Sequence, residues 1–220
     1  MTALRNFWRG QTGTTAAEFA LVLPVALLFF LGTIDIGRYF WLINEGEKAV
    51  QAGTRYAVAT RVIPAGLNAA TYVNFACPGK TLKAGDTICR EALGTITCSG
   101  TGTSVSCSCA ADPVGGAPSC PSLGTPSLSA FNSIVHRIQV IDQRVGPANV
   151  KVKYSGSGIG FAGDPLVDGS GAALSEIAPV VTVEVASVRF RSISLLGFGI
   201  TLPNFRYSQT LEDGDGKIAY

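Results

Sequence analysis

The chain has 220 residues, a formal net charge of +2 and a hydrophobic share of 47%. Beyond Arg61 the basic and acidic residues balance at eleven each, so there is no electrostatic footprint for nucleic acid. With a single histidine, His136, a catalytic triad or histidine-rich metal centre has almost nothing to draw on; neither an enzyme nor a cofactor is expected.

Residues 1–13 form a short polar leader carrying Arg5 and Arg9. From Thr14 to Ile34 the chain is apolar except for Glu18, and as a helix this run is about 31 Å long, the thickness of a bilayer's hydrocarbon core. No small-x-small cleavage site follows it, so it should remain as an anchor. Arg5 and Arg9 ahead of the span place the N-terminus in the cytoplasm. Pro24 removes a backbone donor and should bend the helix, while Tyr39, Phe40 and Trp41 read as an interfacial aromatic belt.

Glu18 needs a reason, because a carboxylate within a span costs about 3 kcal/mol on insertion scales. One reading puts it in the headgroup zone, favoured by the positive end of the helix dipole. The other begins with a cut after Gly13, which gives Thr14 a free α-amine. Glu18 then lies four residues on, on the same helix face, able to neutralise that amine or a neighbouring subunit's.

A basic leader ending in glycine, a glutamate at the fifth position after it, Phe19 next and then an apolar run resemble a type IV pilin-class precursor. More narrowly, R-G-x-x-G-T-T-A-A-E-F-A-L-V-L-P followed by L-G-T-I-D-I-G-R resembles the TadE-like family, over roughly Arg9 to Arg55. The resemblance implies a pseudopilin of the tight-adherence (Flp pilus) machinery. It also implies an inner-membrane location with the bulk in the periplasm, a prepilin peptidase acting at Gly13, and other pilin-like subunits as partners. The alternative is a single-pass anchor presenting an extracytoplasmic binding domain unrelated to pili.

Apolar residues continue at helical spacing beyond the span, predicting one helix from about Thr15 to Thr60, with residues 14–61 as the TadE-like helical segment. Gly46 and Gly53 either loosen this helix or, beside Ala49 and Ala57, let another element approach closely. Pro64-Ala65-Gly66 ends it. Residues 62–220 then form an extracytoplasmic α+β domain with a cystine-rich insertion over 77–120. Cys77, Cys89, Cys98, Cys107, Cys109 and Cys120 are even in number and fall on that side, which argues for disulfides rather than for zinc. Fifteen pairings are possible.

Thr95–Ser99 and Thr103–Cys107, around Gly100-Thr101-Gly102, read as a small hairpin that buries little and relies on its cysteines for order. Ser127 to Val145 carries an apolar stripe at helical spacing, ended by Gly146-Pro147. Strand-like runs follow at Asn149–Tyr154, Val180–Phe190 and Phe205–Leu211. In the second, Val181, Val183 and Val185 face one way and Thr182 and Glu184 the other, as in an antiparallel sheet with one wet face. The expected fold is therefore α+β: a long membrane-spanning helix, then a disulfide-bonded, pilin-like head with a second helix and an antiparallel sheet.

Two motif-like stretches fail on inspection. Asn74–Thr81 ends like a phosphate loop but lacks its first glycine, and Asp213-Gly-Asp215-Gly-Lys217 lacks the ligands that would complete a calcium loop.

Overall fold

The computed structural model describes residues 12–110, 120–164, 174–194 and 197–211. Most of the leader and the Asp213–Lys217 tail lie outside them. The fold is α+β, as the sequence patterns require. The first helix, α1, spans Thr12–Val58, about 70 Å at the usual rise, with Pro24 inside it. Besides three short 3-10 turns, the described residues of the head form α2 (Leu128–Gln139) and the strands β1 (Ala76–Cys77), β2 (Lys80–Thr81), β3 (Thr95–Gly100), β4 (Val105–Ala110), β5 (Val150–Ser155), β6 (Val180–Val185) and β9 (Phe205–Thr210). Two short strands, β7 (Arg189–Arg191) and β8 (Gly199–Thr201), form a hairpin of their own.

The described chain divides into two compact units. One contains the helix up to Leu42 together with residues 189–201; the other contains residues 43–188 and those from Leu202 onward.

The second unit is built on a five-stranded antiparallel sheet in the order β4-β3-β5-β6-β9. Period-2 alternation decides its faces. Ile96, Cys98, Val150, Val152, Tyr154, Val181, Val183, Val185 and Phe205 are buried. On the wet face Lys153 Nζ lies 2.7 Å from Glu184, a pairing that holds the Glu184 carboxyl below its ordinary pKa. Thr182 and Ser208 share a 2.8 Å hydrogen bond across the strands.

The helices cover the apolar face. On α2, Phe131, Ile134, Val135 and Ile138 are buried, and Ser127 Oγ caps the helix by accepting from Ala130 N–H. The distal part of α1 offers Ala49, Val50, Ala57 and Val58, all buried. A Cβ on Gly53 would stand 2.6 Å from Ile138 Cγ1, and one on Gly46 2.5 Å from the Phe205 ring. Of the two readings of these glycines, close packing is the one realised. As α1 ends, Ile63 N–H donates to the buried hydroxyl of Tyr154 at 3.1 Å.

Three expectations change. The expected hairpin forms, β3 pairing antiparallel with β4, but it does not bury little: β3 lies inside the sheet between β4 and β5, with Ile96 and Cys98 fully buried, because its alternate residues share the apolar face. The second helix stops at Gln139 rather than Val145. Val145 is still buried, but the chain reaches it through a turn built on Asp142, whose Oδ1 accepts the N–H of Arg144 at 3.0 Å. The run Val180–Phe190 is two strands. Ser187 adopts φ 62°, a left-handed conformation that ends the first ladder.

The cysteines pair as Cys77–Cys89, Cys98–Cys107 and Cys109–Cys120. The middle bond joins residues directly opposite in the β3–β4 register. Cys77 lies in the tight β1–β2 ribbon, within the stretch that resembles a phosphate loop.

Candidate assembly site on the N-terminal helix

Every residue from Ala16 to Val25 is exposed, including Glu18 and Phe19, and so are Leu27, Leu28, Phe29 and Phe30. A helix this apolar with its side chains turned outward requires an apolar surrounding. It is the one helix among the described residues that is long and apolar enough to cross a membrane.

Gly13 and Thr14 occupy the first turn of α1. Helical geometry puts Glu18 one turn beyond Thr14, on the same face of the helix. The disulfide cysteines form a separate group in the head. No set of three or more histidine, cysteine, aspartate or glutamate side chains poised to hold a metal occurs among the described residues. His136 sits exposed on α2.

A second polar centre was not foreseen. Asp35, one residue past the apolar run, is only 6% exposed. Its oxygens accept the N–H of Ile193 at 2.8 and 2.9 Å, the N–H of Ser194 at 2.7 Å and the Ser194 hydroxyl at 2.8 Å. Arg38 Nη1 adds a salt bridge at 3.0 Å. The carboxylate thus serves as the anion of a backbone cradle at the tip of the β7–β8 hairpin. Above it, the Arg38 guanidinium lies 5.4 Å from the centre of the Phe190 ring, and Tyr39 meets the same ring edge-on. The only local hint in the sequence is the Asp35–Arg38 spacing, which suits an ion pair on a helix.

Among the described residues, then, one long apolar helix with an acidic residue near its start precedes a disulfide-bonded α+β head, the arrangement of a protein with a single membrane anchor. The TadE-like protein family model matches residues 13–55, so this segment of the chain is similar to that family. The match covers most of α1, and the head lies beyond it. No curated protein and no solved structure matches the chain.

Proposed function

We propose that this protein is a minor pseudopilin, a structural rather than enzymatic component that supports assembly of a tight-adherence (Flp-type) pilus. The observation that carries the reading is the TadE-like match over residues 13–55. The exposed apolar face of α1 and the position of Glu18 support it. In this reading α1 spans the inner membrane with its N-terminus in the cytoplasm and the head in the periplasm, where disulfides persist. A prepilin peptidase cuts after Gly13. Glu18 then neutralises the amine of Thr14, on its own chain or on an adjacent pilin-like subunit, and guides lateral packing.

Glu18→Ala tests the pairing. The substitution removes an insertion penalty of about 3 kcal/mol, so membrane anchoring persists while pilus production falls. Fractionation, N-terminal sequencing and pilus counts read the three steps separately. Normal pili made with correctly processed Glu18→Ala protein overturn the pairing. A mature wild-type chain that does not begin at Thr14 favours instead a plain anchor presenting a binding domain.

A further inference from the structure

We propose that the β7–β8 hairpin is a second membrane contact, with Ile193 and Phe198, at the turn end of its strands, seated in the interfacial zone of the leaflet from which α1 emerges. This rests on the reading of α1 as a membrane anchor and adds to it a surface that the apolar span does not contain.

The hairpin's composition is wrong for a water-exposed tip. Ile193 is 50% exposed and Phe198 65%, both in the turn between the strands, while Ile200, 42% exposed, stands in β8 opposite Phe190. Its direction is fixed by the helix. Phe190, in the strand, lies beside Tyr39, whereas Ile193 and Ser194, at the tip, are bound to Asp35. Tyr39 is four positions beyond Asp35 on the helix, about 6 Å along the axis. The tip therefore lies nearer the span than the strands do. Asp35 follows Ile34, the last residue of the apolar run, so hydrogen bonds hold the tip at the level where the run ends.

The charges are arranged for the same surroundings. Arg189 and Arg191 are exposed on β7, beyond the tip from the bilayer, where phosphates of lipid headgroups would meet them. An open groove of about 450 Å³ runs between helix and hairpin, lined by Gly32, Ile36, Tyr39, Phe190 and Ile200. It begins within the apolar run itself, so lipid that surrounds Gly32 has a continuous path along it. Apolar residues at the tip with cations set back from it match the pattern of interfacial segments that bury one face in the headgroup and acyl boundary. Continuity with the span selects a lipid surface over a protein partner.

Tryptophan fluorescence in vesicles tests this on the full chain. In a Trp8→Phe, Trp41→Phe background, Phe198→Trp places a reporter at the hairpin tip, Ile193→Trp provides a second, and Phe29→Trp provides one in the span. Intact disulfides and unchanged far-ultraviolet circular dichroism certify folding. The expected result is blue-shifted emission from both tip reporters and loss of intensity with lipids brominated near the glycerol end of the chain. Phe29→Trp responds to deeper bromines. Quenching of Phe29→Trp without quenching at the tip overturns the hairpin proposal and leaves the anchor standing. A tip that shifts blue only at many copies per vesicle, unquenched by bromine, assigns the surface to a second copy and also overturns it. If no reporter is quenched, the membrane reading fails and the hairpin contact fails with it.

Discussion

Asp142 is 1% exposed, and a carboxylate so placed requires compensation. Arg144 supplies it with a fork: Nε and Nη2 each lie 2.8 Å from the Asp142 oxygens, and Nη2 also reaches Glu45 on α1 at 3.2 Å. Arg144→Ala should lower stability by about 3 kcal/mol, because it leaves a buried charge alone. Arg144→Lys should recover only part of that loss, since an ammonium cannot reproduce two parallel hydrogen bonds. Glu45→Ala, at the partly wet side of the trio, should cost less than about 1 kcal/mol. Urea unfolding midpoints of the oxidised protein in detergent give the ranking, and an unchanged midpoint for Arg144→Ala would refute it. The sequence concealed this turn because Ile141 and Val145 keep to the apolar stripe of α2, so periodicity alone carries the helix through Asp142. Asp35 was concealed for another reason: its hydrogen-bond partner Ile193 stands 158 positions away. Glu18, by contrast, was conspicuous, as the lone charge in an apolar run.

Periodic elements were the legible ones. The long helix declared itself by its apolar run and the stripe that follows it, and β6 by strict alternation of valines. The break at Ser187 carried no comparable signal, because serine does not demand a positive φ in the way that a glycine turn does. The glycines of α1 show how one residue type takes opposite meanings along one helix. A side chain at Gly53 would run into Ile138, whereas a Cβ at Gly37 would find nothing within 4 Å. Gly53→Val should therefore destabilise the head by about 2 kcal/mol through overpacking. Gly37→Ala should leave the head's stability unchanged and favour its own stretch of helix by up to about 1 kcal/mol. Comparable unfolding midpoints for the two variants would mean that α1 is not seated on α2 as described.

For the molecule as a whole, the division of labour between cystines and packing differs from what composition suggests. The stretch over 77–120 is poor in large apolar residues, yet it supplies β3 to the interior of the sheet, where backbone bonds to both β4 and β5 hold it. The Cys98–Cys107 bond closes a short loop, a sequence separation of 9, for which chain entropy gives about 2.5 kcal/mol. The double variant Cys98→Ala, Cys107→Ser should lose about that much and still fold to the same sheet, with protected β3 amides in hydrogen exchange. Collapse of that protection would show that the bond, and not the ladder, maintains β3.

The order of the three bonds has a consequence for how the protein is made. Each cysteine is joined to its next neighbour along the chain, first to second, third to fourth, fifth to sixth. Among the fifteen ways of pairing six cysteines, this is the one in which no loop crosses or encloses another. A thiol oxidant acting on each cysteine as it enters an oxidising compartment would therefore make the native set at the first attempt. Disulfide exchange, which takes minutes to hours when uncatalysed, has nothing to correct, and the head can mature as fast as its cysteines are oxidised.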